Sequence, residues 1–192
     1  MRVASRFRIF RRSLAALALA ATLGSTASAR ADVSSWLYVG AGPSWVRNSS
    51  GTTLQPSLQL DTGMGSSPAE PVVVGGLFRL SPHLGRGSDV ALLLRTASRG
   101  FVNGDWGAAL DLGGYERFWG QGSAGFTGSL VLGGPWGLTM SGAGSVGAHE
   151  GRSLAVVFGI DLARLTVYRR TGGEWWPNPI QPGRPSAGGE RL

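Results

Sequence analysis

The chain has 192 residues, of which 32 are Gly, 10 are Pro and none is Cys. That length fits a single domain, and the lack of Cys excludes disulfides, thiolate metal ligands and thiol nucleophiles together. All 18 basic residues are Arg and six of them precede residue 32, so the formal charge of +7 falls to +1 beyond it (12 Arg against 11 acids); the scattered remainder makes no nucleic-acid-binding face.

Residues 1–31 have the three parts of a secretory signal. Arg2, Arg6, Arg8, Arg11 and Arg12 form a positive n-region. Residues 14–23 (L-A-A-L-A-L-A-A-T-L) form an apolar core. It is too short to cross a bilayer as a helix, which takes roughly 20 residues. Small-residue sites at Ala27-Ser28-Ala29 and Ala29-Arg30-Ala31 predict cleavage after Ala29 or Ala31. The expected organisation is a signal peptide over 1–31, a β-domain over 32–170 and a Pro/Gly-rich disordered tail over 171–192.

Beyond the signal the chain alternates. Successive side chains of a strand point to opposite faces. In residues 37–46, Leu37, Val39, Ala41 and Trp45 oppose Tyr38, Gly40, Gly42 and Ser44, and Pro43 predicts a bulge or a strand end. A turn-rich loop over 47–53 leads into residues 54–64. There Leu54, Pro56, Leu58, Leu60, Thr62 and Met64 oppose Gln55, Ser57, Gln59, Asp61 and Gly63. Residues 72–83 set Val72, Val74, Phe78 and Leu80 against Val73, Leu77, Arg79, Ser81 and His83. Residues 89–99 set Val90, Leu92 and Leu94 against Ala91, Leu93, Arg95 and Arg99.

After a turn at 100–105, residues 106–117 oppose Trp106, Ala108, Leu110 and Leu112 to Ala109, Asp111, Tyr115 and Arg117. Residues 123–133 oppose Ala124, Phe126, Leu130 and Leu132 to Ser123, Thr127, Ser129 and Val131. Residues 136–146 oppose Trp136, Leu138, Met140 and Val146 to Thr139, Ser141, Ala143 and Ser145. Residues 154–162 oppose Leu154, Val156, Phe158, Ile160 and Leu162 to Ala155, Val157, Gly159 and Asp161. Eight strands of about ten residues match the roughly 9–11 residues of a tilted membrane strand and the smallest closed barrels. The predicted class is all-β, a closed up-and-down antiparallel barrel of about eight strands.

Phased this way, the Leu/Val/Phe faces carry no charge. The opposite faces hold Gln59, Asp61, Arg79, Arg95, Arg99, Asp111, Arg117 and Asp161. An eight-stranded barrel encloses only packed side chains or one small ligand. A narrow interior suits Gly, Ser, Thr and Ala with mutually paired Asp and Arg, and Asp61 is expected to pair with Arg79 or another inward Arg. The apolar faces are then expected to meet lipid. Trp36, Trp45, Trp106, Trp119, Trp136 and Tyr168, with Phe101, lie near strand ends, where barrels carry aromatic girdles.

Other motifs are weaker. Residues 120–125 and 142–147 match G-x-G-x-x-G, but neither precedes a helix, which phosphate binding needs. No cofactor is expected. Ser81 and His83 share a face and could begin a nucleophile–base pair, although no third orienting group stands out. His149 and Glu150 fall in a turn, and two distant His residues make a poor zinc site.

In pattern and composition, residues 36 to about 168 resemble the small eight-stranded outer-membrane barrels of Gram-negative bacteria, of the opacity and outer-membrane-protein-A transmembrane-domain type. The resemblance implies an outer-membrane location, with membrane lipid and the outer-membrane assembly machinery as partners. It implies a non-catalytic structural or surface-interaction role, with the loops at 47–53, 84–88, 118–122 and 148–152 outside and the termini periplasmic. Residues 160–168 end on Tyr168, as a closing strand does, but Arg164 breaks the apolar row. The alternatives are a soluble periplasmic or secreted lipocalin-like barrel that binds a small apolar ligand, and an outer-membrane lipid-modifying enzyme using His83.

Overall fold

A computed structural model describes residues 33–48, 51–120, 122–148 and 151–166. The expected signal segment over 1–31, Tyr168 and the 171–192 tail lie outside the described residues. Eight antiparallel strands close into a barrel in sequence order. They are β1 (Ser34–Asn48), β2 (Gly51–Gly65), β3 (Val72–His83), β4 (Gly87–Ser98), β5 (Gly107–Arg117), β6 (Ser123–Gly133), β7 (Leu138–Gly147) and β8 (Arg152–Asp161). Two short helices, α1 (Arg99–Val102) and α2 (Leu162–Thr166), lie at the end of the barrel where β1 begins and β8 finishes. That end is called the floor below, and the opposite end the mouth.

The strand period is obeyed almost throughout. Along β2 every second residue from Gln55 to Asp61 is buried while its neighbours are exposed. Outward residues at mid-wall are Val39, Leu58, Phe78, Leu94, Leu112, Leu130, Met140 and Phe158, one from each strand and all exposed. The outer face is not free of charge, as the sequence phasing had it. Arg47, Glu116 and Arg152 point outward, but each lies within two residues of the mouth end of its strand.

Several boundaries differ from the expected ones. β1 and β2 run to 15 residues each, and their register carries through from Ser34↔Gly65 to Asn48↔Gly51, so the described residues of the loop expected over 47–53 belong to the ladder. Pro43 ends nothing, because it pairs with Pro56 in register, and only the ladder to β8 skips it. Trp106 precedes β5, and Trp136 sits in a 3-10 turn (Pro135–Gly137) with φ 60 rather than in β7. Arg99 opens α1 and is exposed, so it does not join the interior row. The expected strand over 160–168 stops at Asp161, and α2 follows it. Asp161 Oδ1 accepts from the backbone N–H groups of Ala163 (3.0 Å) and Arg164 (3.1 Å), which turns the chain inward.

The seam between β1 and β8 pairs Gly40 with Gly159. A Cβ on Gly159 would collide with Val39 O and Gly40 Cα, whereas a Cβ on outward Gly142 would meet nothing. Replacing Gly159 by Val should therefore prevent closure, while Gly142→Ala should be tolerated. Circular dichroism of the two refolded variants checks this: strand signal is lost in the first and kept in the second.

Candidate functional site

The interior is layered along the barrel axis. At its middle, four consecutive strands each contribute one ionised side chain: Asp61 (β2), Arg79 (β3), Arg95 (β4) and Asp111 (β5). In register, Asp61 faces Arg79 and Arg95 faces Asp111, so each hairpin or strand pair brings one acid to one base. Arg79 Nε and Nη2 donate to Asp61 Oδ1 and Oδ2 at 2.8 Å each. Arg79 Nη2 also reaches Asp111 Oδ2 at 2.7 Å. Arg95 Nε and Nη2 donate to Asp111 Oδ1 and Oδ2 at 2.7 and 2.9 Å. Arg95 Nη2 lies 3.5 Å from Asp61 Oδ2.

Neutral partners complete the shell. Gln59 Nε2 donates to Asp61 Oδ2 at 2.9 Å. Ser129 Oγ donates to Asp111 Oδ2 at 2.8 Å and accepts from Arg79 Nη1 at 2.9 Å. Ser141 Oγ donates across the barrel to Gln59 Oε1. Two acids and two guanidinium groups leave the layer neutral. Bidentate, charge-assisted bonds of this kind are the strong ones, and burial of the charges is tolerable because each is paired.

Below this layer the interior is apolar, which a uniformly polar filling does not describe. Trp36, Val73, Leu77, Leu93, Phe101, Val102 and Val131 are buried in one cluster. Trp36 is 1% exposed and lies under the Arg95 guanidinium, 5.4 Å from its carbon. It is thus an interior residue and no part of an outer girdle; it shares the parity of Tyr38, not of Leu37. Phe101 is interior as well, stacked under Arg95 and Arg164. Arg164 seals the floor. Its Nε donates to Phe101 O at 2.5 Å, Nη1 to Thr139 Oγ1 at 3.1 Å, and Nη2 to Asp105 O and Gly134 O at 2.9 Å each. Burial holds its guanidinium below the ordinary value, which the Asp161 carboxylate only partly offsets.

Above the charged layer lies a cavity of about 50 Å³, bordered by Ser44, Ser57, Ser81, Thr127, Ser145 and Ser153 among others. It has room for a few waters. The mouth above it is closed by a second ionic cluster around Asp89. Arg117 Nε and Nη2 donate to Asp89 at 3.0 and 2.8 Å, and Trp119 Nε1 donates to it at 2.9 Å. The Arg117 guanidinium carbon sits 4.7 Å from the Trp119 ring centroid. Gln55 Nε2 lies 3.1 Å from His83 Nδ1, and His83 Nε2 lies 3.3 Å from Asp89 Oδ2.

Of the expected interior set, Gln59, Asp61, Arg79, Arg95 and Asp111 do meet. Arg117 is buried but belongs to the mouth, and Asp161 is buried but caps α2. Trp119 is a correction: it folds over the mouth against His83 and Arg117 rather than facing outward. Trp45, Trp106 and Trp136 do face outward, Trp106 being 79% exposed. Asp89 and Arg164 were missed. Asp89 has the inward parity of Ala91 and Arg95, so alternation alone could have found it. Arg164 had no such signal, because it follows a strand end. His83 has an orienting acid after all, in Asp89, but its ring bonds to Gln55 and Asp89 rather than to Ser81. Among the described residues no group of three or more His, Cys, Asp or Glu side chains is placed to hold a metal ion.

No protein-family model, curated protein or solved structure matches this chain.

Arg79→Met leaves two buried carboxylates short of a partner. It should destabilise the barrel by about 3–5 kcal/mol. Urea unfolding followed by tryptophan fluorescence checks this. A double-mutant cycle with Asp61→Leu should give a coupling of at least about 1 kcal/mol, since the two residues share one network.

Proposed function

We propose that the chain is a small outer-membrane barrel whose apolar wall meets lipid hydrocarbon and whose filled interior conducts nothing. The observation that carries this reading is the inverted placement of charge. The buried acids and guanidinium groups are inside, and the outward face of every strand at mid-height is an exposed aliphatic or aromatic residue. Monomeric soluble proteins rarely expose a contiguous apolar patch beyond roughly 300–600 Å². A belt around all eight strands exceeds what water tolerates, and a closed barrel satisfies every ladder without edges, as lipid demands.

Trp45 near the mouth and Trp106 and Trp136 near the floor bracket the belt as interfacial aromatics do. A signal peptide, insertion by the assembly machinery and a Gram-negative source complete the reading. The role that best fits it is non-catalytic: structural, or a surface interaction through the short mouth turns. A drug-sized ligand pocket runs to about 300–1,000 Å³, and the small interior cavity of about 50 Å³ supports a packed barrel over a lipocalin-like ligand site. The ring nitrogens of His83 lie beside Gln55 and Asp89, which supports a structural place for it at the mouth.

Two measurements test this. The protein should sediment with membranes, require detergent for release, and migrate differently on a denaturing gel before and after heating. Recovery in a soluble fraction without detergent would overturn the reading. Separately, Leu112→Arg places a charge at mid-wall. In bilayers it should cost about 2–4 kcal/mol, whereas a wall facing water would accept it at almost no cost.

A further inference from the structure

We propose that the outward pair Arg47 and Arg152, with the proline-lined groove beneath Arg47, binds one phosphorylated lipid. The inference rests on the membrane reading above and adds a head-group site to it.

Arg47 on β1 and Arg152 on β8 are direct partners in register, and both are exposed. Directly opposed residues of antiparallel strands have Cβ atoms about 4.5–5.5 Å apart, and like charges there repel. Among the described residues neither guanidinium has an ion-pair partner, while inward Arg79, Arg95 and Arg117 each bind an aspartate. Their cross-strand neighbours are Thr52 and Val146, and the next outward row is Leu54, Trp45 and Leu154. His149 and Glu150, which precede Arg152 in the sequence, lie outside the described residues. Two cations held side by side above an apolar wall are relieved by an external anion. The planar donor fork of guanidinium matches phosphate oxygens in particular.

The second observation is the shape of the wall directly below. An outer-face groove of about 470 Å³ is lined by Ala41, Pro43, Leu54, Pro56, Leu58 and Leu84 with their neighbours. Pro43 and Pro56 oppose each other across β1 and β2, and Ala41 opposes Leu58. Compact rings and a methyl group thus line the groove, with Leu54, Leu58 and Leu84 at its sides. Pro43 is four residues from Arg47, or about 13 Å along an extended strand. A cationic pair above and an apolar groove below reproduce the order of a lipid, with the head group at the mouth and a tail along the wall. A free phosphate would use the first feature and leave the second unexplained.

The test is native mass spectrometry of the full-length folded barrel, released from neutral detergent micelles doped with dioleoyl phosphatidic acid or dioleoyl phosphatidylcholine. The wild type should retain phosphatidic acid in preference to phosphatidylcholine. Arg47→Gln with Arg152→Gln should lower that retention by about tenfold or more, the worth of one lost charge-assisted bond. Arg152→Gln alone should fall between, and Ala41→Phe, which fills the groove, should also weaken retention. Removing two like charges does not threaten the fold, and heat-dependent gel migration confirms that each variant is a closed barrel. Equal retention by the double variant overturns the proposal, as does equal retention of the two lipids. Displacement by inorganic phosphate as effective as that by phosphatidic acid makes the pair a free-anion site, which also overturns it. A barrel that fractionates with membranes yet shows no head-group preference refutes this site alone. Recovery as a soluble protein refutes the membrane reading itself.

Discussion

The barrel depends on the neutral quartet of Asp61, Arg79, Arg95 and Asp111. Taking a charge out of water costs several kcal/mol unless partners meet it with good geometry. Here each carboxylate receives at least three donors, and the guanidinium forks lie along the directions that β2 to β5 impose. The partners sit on adjacent strands, so the strand register and the ion pairs specify each other. A slip of one residue would move all four to the outside and the Leu row inside. The quartet thus fixes the register of half the wall.

The remaining features fit around it. The far strands bring small polar groups to the same height, Ser129 from β6 and Ser141 from β7, which leaves space for two long arginine side chains in a narrow interior. Below, Trp36 and Phe101 lie against Arg95, and Phe101 in turn against Arg164. Aromatic faces and guanidinium planes therefore join the charged layer to the apolar floor, although the buried Trp36 Nε1 has no hydrogen-bond partner there. Above, hydroxyls surround a small cavity, and the Asp89 cluster closes the mouth. With the charges held inside by one another, the outer wall is left to Leu, Val, Phe and Trp.

Much of this was legible in the sequence, and the reasons are specific. Period-two alternation puts Asp61, Arg79, Arg95 and Asp111 on one face, while the choice of Arg79 as the mate of Asp61 needs the β2–β3 register. Trp36 was misplaced because nearness to a strand end was weighed above parity, and parity sets which side of the wall a residue occupies. Trp119 is the second residue after β5, in a turn, where alternation says nothing and only the contacts to Asp89 and Arg117 locate it. Helices α1 and α2 are four and five residues long, too short to show a helical period. Arg164 was therefore read as a break in a strand when it is the bolt across the floor. The boundary of β1 and β2 was underestimated because Arg47, Asn48, Thr52 and Thr53 have turn-like composition, yet ladder pairing carries through them.

The claim on which the account turns is that the wall is apolar toward lipid and the interior ionic. Fluorescence quenching in bilayers with brominated acyl chains tests it most directly, using variants that keep one tryptophan each. Trp45, Trp106 and Trp136 should be quenched, since their rings lie on the outer face, and Trp36 and Trp119 should be protected. Quenching of Trp36 as strong as that of Trp106, or quenching of none, would contradict the account.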